Sequence, residues 1–216
     1  MRKIISTILT LTILTLTICI PCSVSAQTEM NNEETRETLS VNLVMASGAS
    51  IRLNNKNGIR FYTNVDENKI AQLKNQGATV EMGTLIAPKD LLDNNDLTFD
   101  LSPEKYLDVK YTANSYYTED DFRGIVGSIV NIKESNTSYD KVSGNITREF
   151  VGRGYAKVTW KGREVISYAT YANNDIVNNS RSLAYVSKML QSDLKVYEEL
   201  DINKRNLIDK WAKFYK

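Results

Sequence analysis

The chain has 216 residues, a formal net charge of +1 and no histidine. The lack of histidine excludes Ser-His-Asp and Cys-His catalysis, and it excludes zinc sites that depend on imidazole ligands. The balanced charge, without a basic cluster, predicts no nucleic-acid partner and no attachment to a membrane surface. No glycine-rich phosphate loop of a standard type occurs.

Residues 1–26 have the composition of a secretory signal peptide. Arg2 and Lys3 form the basic start, residues 4–20 are mainly apolar, and small residues up to Ala26 form a cleavage site. Cleavage there leaves 190 residues, removes both cysteines, and changes the formal net charge from +1 to −1 because only these two charges are lost. We therefore expect a secreted, extracellular protein without disulfide bonds and outside the membrane after cleavage. The alternative is a signal peptide that is retained as an anchor.

The mature chain divides into a leader and one domain. Residues 27–38 are polar and acidic without periodicity, which predicts a flexible leader. Residues 39–216 contain no internal repeat or linker and are long enough for one well-buried domain. Apolar residues alternate from Leu39 to Met45, which predicts the first strand.

A hairpin is predicted over residues 48–65, where two alternating segments flank asparagine and glycine turn residues. A loop with an odd number of residues sets Ile51 opposite Phe61 and Arg52 opposite Arg60. Only such a loop gives one consistently apolar face. Both arginines are therefore expected on the other face, where like charges are unfavourable unless an anion lies between them.

A short helix is predicted over residues 67–76, with Asp66 as its N-cap and Gly77 as its stop. Residues 79–87 form the next strand. The connection between the hairpin and this strand is long enough to make them parallel neighbours.

The remaining chain changes from a strand period to a helix period. Four further strands are predicted, over residues 106–117, 122–132, 145–160 and 164–171. Residues 180–200 form an amphipathic helix, and a second, shorter helix includes Trp211. We expect an α+β fold of predominantly antiparallel sheet with a short crossover helix and two C-terminal helices. The alternative is a β-sandwich with C-terminal helices.

Six sequence segments, in order, carry a resemblance to a known group of proteins. They are GASIRL, GIRF, GTLIAP, GSIVNI, REFVGRGYAKV and RSLAYV, and they span about residues 47–189. The series resembles an uncharacterised module of secreted and surface proteins of Gram-positive, often gut-dwelling, bacteria. This resemblance implies an accessory domain of the kind that accompanies repeats, sugar-binding modules or hydrolases, and it implies no catalytic residue. The chain lacks a repeat array and a sorting signal, which favours a secreted or indirectly retained protein.

The hairpin arginines are the first candidate ligand-binding residues. Guanidinium groups at Arg52 and Arg60 suit an anionic partner such as a uronic acid or a teichoic phosphate. The alternative is an ion pair with a strand carboxylate such as Glu81. The same two interpretations apply to Arg123 and Arg153, which are candidates for a single internal charge network.

Aromatic residues are the second group of candidates. Tyr111, Tyr116 and Tyr117 belong to a tyrosine cluster, and Trp160 lies beside a predicted hairpin turn. Aromatic faces on a sheet stack on sugar rings, although tyrosine is also an ordinary residue at the edge of a core.

Acidic residues define the alternatives. A hydrolase without histidine would depend on carboxylates, for which the candidates are Glu81, Glu119, Asp120, Asp121, Glu149 and Glu164. Residues 93–96 and 119–121 also supply oxygen ligands suited to calcium, but neither has the spacing of a known calcium loop, so solvated turns are favoured. We predict no cofactor and no metal site.

The sequence therefore favours an exported, non-catalytic accessory module that binds a protein or a polysaccharide at the bacterial cell surface. A carboxylate-based hydrolase such as a glycosidase is the alternative. The oligomeric state does not follow from the sequence.

Overall fold

Two antiparallel sheets form the framework of the protein. The structure is a computed structural model that describes residues 36, 38–54, 56–93, 95–112, 116–119, 122–132, 144–172 and 179–216. The predicted signal peptide and nearly all of the predicted leader lie outside these residues. Residues 39–216 form one compact unit. The α+β class with predominantly antiparallel sheet is confirmed.

The first sheet has the strand order β1-β3-β7-β6, and β2 pairs with the same edge of β3 as β1 does. Its strands are β1 (Leu43–Met45), β2 (Ser50–Arg52), β3 (Gly58–Val65), β6 (Tyr116–Glu119) and β7 (Phe122–Val130). The second sheet has the order β5-β4-β8-β9. Its strands are β4 (Thr79–Pro88), β5 (Leu107–Lys110), β8 (Phe150–Trp160) and β9 (Arg163–Tyr168).

The two sheets pack face to face, with β3 against β8 and β4 against β7. Phe61 and Thr63 of β3 are buried against Gly152 and Gly154 of β8. These glycines allow the close approach, since a Cβ atom on Gly154 would lie 2.3 Å from Thr63 Oγ1. The β-sandwich alternative therefore describes how the sheets are arranged.

Helix α1 (Glu67–Asn75) joins the two sheets. Asp66 caps it by accepting a hydrogen bond from the Lys69 N–H at 2.9 Å, and Gly77 follows it with φ at +84°. The predicted helix and both of its end signals are thus confirmed. The predicted parallel pairing was wrong, because a crossover long enough to join parallel strands also reaches a second sheet.

The hairpin loop has an odd number of residues, as predicted, but the two strands pair in a different register. Ile51 is opposite Ile59, and Arg52 is opposite Gly58 rather than Arg60. The loop therefore still has an odd number of residues, but it is two residues longer than the predicted one. Leu53 leaves the strand to pack against the second hydrophobic cluster, which the C-terminal helices form.

Two other predicted segments are divided in the structure. Residues 106–117 contribute β5 to the second sheet and the start of β6 to the first. Residues 145–160 begin with the short helix α2 (Gly144–Thr147), and β8 starts only at Phe150. The turn at Lys161 and Gly162 has positive φ at both positions, as a tight hairpin turn requires.

The C-terminal region contains three helices, α3 (Leu183–Ser192), α4 (Leu194–Glu198) and α5 (Ile202–Ala212). The single long helix predicted over 180–200 was wrong, because Asp193 interrupts it and caps α4. Buried Ile208 and Trp211 of α5 pack with Leu183 of α3 and with Ile51 of β2. No described helix is long and apolar enough to cross a membrane.

Candidate anion-binding face

The outer face of the first sheet carries the two arginines that the sequence singled out. On β3, Ile59, Phe61 and Thr63 are buried, so the alternate residues Arg60 and Tyr62 lie on the opposite face. The pairing Ser50–Arg60 and Arg52–Gly58 puts the polar residues of β2 on this same face. We call Ser50, Arg52, Arg60 and Tyr62 the arginine face.

Hydrogen bonds to the hairpin backbone orient both guanidinium groups. Arg60 Nη2 donates to the Ile51 carbonyl oxygen at 3.0 Å, and the guanidinium carbon lies 5.5 Å from the centroid of the Tyr62 ring. Arg60 Nε is buried and has no hydrogen-bond partner among the described residues. Arg52 Nε makes a longer contact, 3.4 Å, with the Asn54 carbonyl oxygen. Arg60 thus keeps an unused donor while its outer end is fixed against the sheet.

No carboxylate that the structure describes lies near these positive charges on the same sheet. Strands β1, β2, β3 and β7 contain no acidic residue, and neither Arg52 nor Arg60 forms an ion pair with a described residue. Glu119 of β6 is opposite Phe122, whereas Arg60 is opposite Ser128. Six residues along β7 correspond to a separation of roughly 20 Å. The arginine face is therefore a local excess of positive charge.

The second sheet differs, because its charges are paired. The Glu81 carboxylate lies 4.0 Å from Lys110 Nζ, and Lys157 Nζ lies 2.9 Å from the Glu164 carboxylate. The alternative in which Glu81 pairs with the hairpin arginines is therefore wrong. Its physical reason is that Glu81 belongs to β4, in the other sheet.

Two of the candidate aromatic residues, Tyr111 and Trp160, lie in the second sheet and not on the arginine face. Tyr111 follows β5 in the second sheet, where it is half-buried and packs against the core. Trp160 ends β8, its Nε1–H donates to the Gln76 carbonyl oxygen at 3.0 Å, and Lys161 Nζ lies 4.1 Å from its ring centroid. Tyr116 and Tyr117 belong to edge strand β6, and their side chains are outside the described part of the structure.

Arg123 and Arg153 do not form one network. Arg123 Nη1 lies 3.3 Å from the Glu67 carboxylate at the end of the first sheet. Arg153 lies on the second sheet, where its Nε donates to the Ala169 carbonyl oxygen at 2.9 Å and its Nη1 lies 3.3 Å from the Asp96 carboxylate. The predicted single charge network is therefore wrong, since the two residues belong to different sheets.

Arg153 organises a second polar group under the 92–106 segment. Its guanidinium carbon lies 5.3 Å from the ring centroids of both Tyr168 and Tyr171. The Tyr171 hydroxyl group is buried and has no hydrogen-bond partner among the described residues, and burial raises the pKa of Tyr171. The Tyr155 hydroxyl group donates to the Asp108 carboxylate at 2.8 Å. Burial is the main cause that raises the pKa of Tyr155, and this hydrogen bond raises it further.

The described carboxylates of the hydrolase alternative are engaged in ion pairs. Glu149 contacts Lys89 Nζ at 2.8 Å, in addition to the pairs of Glu81 and Glu164 given above. The side chains of residues 119–121 are outside the described part of the structure.

The first calcium candidate, residues 93–96, is also tied into local contacts. Lys105 Nζ lies 2.8 Å from the Asp93 carboxylate, and the Asn95 side chain donates to the Leu92 carbonyl oxygen at 3.0 Å. Among the described residues, no three side chains with metal-ligating groups cluster together.

Sequence reasoning missed Tyr62 and Ser50 as members of the site. Tyr62 lies two residues after Arg60, and the Ser50 hydroxyl donates to the Tyr62 hydroxyl oxygen at 3.2 Å. The period of two along a strand was the signal that would have found Tyr62, because residues i and i+2 share a face.

No family model, curated protein or solved structure matches the chain. The resemblance to a module of Gram-positive surface proteins therefore stays a prediction, and the functional conclusion depends on the geometry of the arginine face.

Proposed function

We propose that this protein is an exported, non-catalytic module that binds an acidic polysaccharide at the bacterial cell surface through the arginine face. The observation that supports this proposal is the pair of arginines on one sheet face without a carboxylate partner among the described residues. A folded protein gains little from holding two like charges close together, so an external anion is the natural partner.

The chemistry of the face suits carboxylate or phosphate groups. A guanidinium group forms two parallel hydrogen bonds to either anion, and its planar shape selects their geometry. Arg52 and Arg60 are diagonal neighbours on paired strands, which places their β-carbons roughly 7 Å apart or somewhat less. The Tyr62 ring beside Arg60 adds an aromatic surface for a sugar ring.

The face favours a polymer over a small ion. An ion pair on an open surface contributes at most about 1 kcal/mol and is screened by salt, so a single acid group would bind weakly. A chain that carries an acid group on successive residues can contact both arginines and rebind after each dissociation, which increases its overall affinity.

The first experiment identifies the polymer. Purified protein is titrated with oligogalacturonate, with poly(glycerol phosphate) and with neutral dextran, and binding is measured by calorimetry at low and at physiological salt. We expect binding to oligogalacturonate, weaker binding at higher salt, and no binding to dextran. Binding to poly(glycerol phosphate) alone would indicate a phosphate polymer and contradict the choice of a polysaccharide. Equal binding to dextran would contradict the proposal, and so would binding to an acidic surface protein alone.

The second experiment assigns the site. The double variant Arg52→Gln, Arg60→Gln is expected to lose polymer binding. The matched control is Arg163→Gln, because Arg163 is exposed at the end of the second sheet, and this variant should keep polymer binding. Thermal unfolding checks that the double variant is folded, and Arg60→Lys, which keeps the charge, should retain part of the affinity. Unchanged binding by a folded double variant would refute the assignment. Shortening of the polymer during incubation would instead support the hydrolase alternative.

A further inference from the structure

A cleft of about 670 Å³ lies between the start of α3 and the residues that follow α5. Its lining includes Arg181, Ser182, Tyr185, Phe214 and Tyr215. The volume is within the range of about 300–1,000 Å³ that is typical of small-molecule sites. None of these residues belongs to the arginine face.

The backbone around Arg181 holds its side chain in one place. The N–H of Arg181 donates to the Phe150 carbonyl oxygen, and the N–H of Phe150 donates to the Arg181 carbonyl oxygen, both at 2.9 Å. Arg181 Nη1 donates to the Ser180 carbonyl oxygen at 2.7 Å. Gly48, with φ at +72°, passes so close that a Cβ atom there would lie 3.1 Å from Arg181 Nε. The guanidinium group is therefore fixed before any ligand binds.

The charge of Arg181 is not balanced within the described part of the chain. Its guanidinium group forms no ion pair with a described residue, and its remaining contact is with the Tyr185 ring, whose centroid lies 5.2 Å from the guanidinium carbon. Glu149 also lines the cleft, but its carboxylate contacts Lys89 Nζ at 2.8 Å. The cleft thus presents a positive group beside an aromatic ring.

Two tyrosine rings form an aromatic corner in the cleft. The ring centroids of Tyr185 and Tyr215 are 5.4 Å apart and their planes cross at 74°, which is the edge-to-face arrangement of a stable aromatic pair. Tyr215 is 44% exposed, so an open ring surface remains for a ligand. Ring faces of this kind pack against the carbon–hydrogen surface of a sugar.

We infer that this cleft binds a single carboxylated sugar residue, with the carboxylate on Arg181 and the sugar ring against Tyr185 and Tyr215. The choice of a sugar rests on the proposed function, whereas the carboxylate and the ring contact follow from the cleft itself. The arginine face extends along two paired strands and suits a length of polymer. The cleft is partly open to solvent, and its volume suits one terminal sugar residue.

A nuclear magnetic resonance titration of the purified protein separates the two sites. The probes are methyl β-glucuronide and its neutral counterpart, methyl β-glucoside, and the reporters are the backbone amides of Ser182, Tyr185 and Tyr215 in the cleft and of Ser50 and Tyr62 on the arginine face. The glucuronide should shift the cleft signals in a saturable way and bind at least about tenfold more tightly than the glucoside, which lacks the charged contact. Equal affinities, or no saturable shift in the cleft, would overturn the inference.

Variants of the cleft residues complete the test. Arg181→Gln should weaken glucuronide binding about tenfold or more, and Arg181→Lys should retain part of it. If Arg181→Gln does not fold, Tyr215→Ala takes its place, because this exposed ring is not needed in the core. Tyr215→Ala should also weaken glucuronide binding. A folded variant of either kind with wild-type affinity would overturn the inference. Arg60→Gln should leave glucuronide binding in the cleft unchanged, so a failure of the arginine face and a failure of the cleft give different results.

Discussion

Replacing Gly154 with alanine tests the contact between the two sheets. The added Cβ atom would lie 2.3 Å from Thr63 Oγ1, 2.4 Å from Thr63 Cγ2 and 2.7 Å from Thr63 Cβ. All three distances are shorter than any real contact of a Cβ atom, so either strand must move. Neither strand moves easily, since β8 is paired with β4 on one side and with β9 on the other.

The expected loss of stability follows from these distances. Overpacking a core costs about 1–3 kcal/mol, and the upper part of this range applies because the clash is with a buried, β-branched residue. The lower entropy of the unfolded alanine chain returns about 0.4–1 kcal/mol. The net loss of about 1–2.5 kcal/mol corresponds to a fall in Tm of about 2–10 °C for a domain of this size.

A double-mutant cycle measured by urea unfolding isolates the contact. Thr63→Ala removes the two nearest atoms but leaves Cβ, so the cost of Gly154→Ala should fall by about 1 kcal/mol in the Thr63→Ala background. Gly77→Ala is the control, because Gly77 has a positive φ and no atom within 4 Å of the added Cβ. It should cost about 1–2 kcal/mol from backbone strain and show no coupling to Thr63. A Gly154→Ala protein of wild-type stability, or strict additivity with Thr63→Ala, would refute the face-to-face packing.

Two further predictions concern ionisable groups. Tyr171→Phe removes a buried hydroxyl group that has no partner in the described part of the structure, so the free energy of unfolding at pH 7 should be unchanged or higher. Burial raises the pKa of Tyr171 above its ordinary value of 10.0, so the wild-type protein should lose stability as the pH rises above 10. Tyr171→Phe should reduce that loss. If urea unfolding gives the same slope of unfolding free energy against alkaline pH for both proteins, the prediction is contradicted. Asp201 caps α5, and hydrogen bonds from the Lys204 N–H and side chain lower the pKa of Asp201 below its ordinary 3.8. The contribution of the ionised Asp201 carboxylate to stability is therefore complete above about pH 4 and is lost as the pH falls further. The stabilities of Asp201→Ala and of the wild-type protein should converge in acid. A constant difference down to pH 2 would contradict the assignment.

Local patterns in the sequence predicted the faces of the strands well. The period of two correctly put Arg52 and Arg60 on the face opposite Ile51 and Ile59, because a one-residue slip would have mixed charge and hydrocarbon. It did not predict the register, because a slip of two residues keeps every side chain on its face. In the observed register Leu53 packs against the C-terminal helices, a contact that is not local and that the hairpin sequence does not indicate.

The sheet to which a strand belongs could not be predicted either, because the contacts that decide it are also not local. The crossover helix between β3 and β4 is compatible with one sheet or two, and the close approach of Thr63 to Gly154 shows which one occurs. This arrangement also separates Glu81 from the arginines, and so it excludes an ion pair between them.

The cleft was beyond sequence reasoning because its parts are distant in the chain. Gly48, Phe150, Arg181 and Tyr215 meet only after both sheets and the C-terminal helices are assembled. The sequence around Arg181 predicts only the start of a helix, since Ser182 is a typical N-cap followed by an apolar stripe.

The central claim, that the arginine face binds an acidic polysaccharide, is tested most directly by the side-chain Nε–H signals of the arginines in a ¹⁵N-resolved titration. Within the part of the chain that the structure describes, Arg60 Nε is buried without a hydrogen-bond partner, and Arg52 Nε makes a long contact of 3.4 Å. We predict that the acidic polymer selected by calorimetry shifts both signals in a saturable way, with the midpoint equal to the calorimetric Kd, and leaves the Arg163 signal unchanged. Saturation of polymer binding with the Arg52 and Arg60 signals unmoved would contradict the claim.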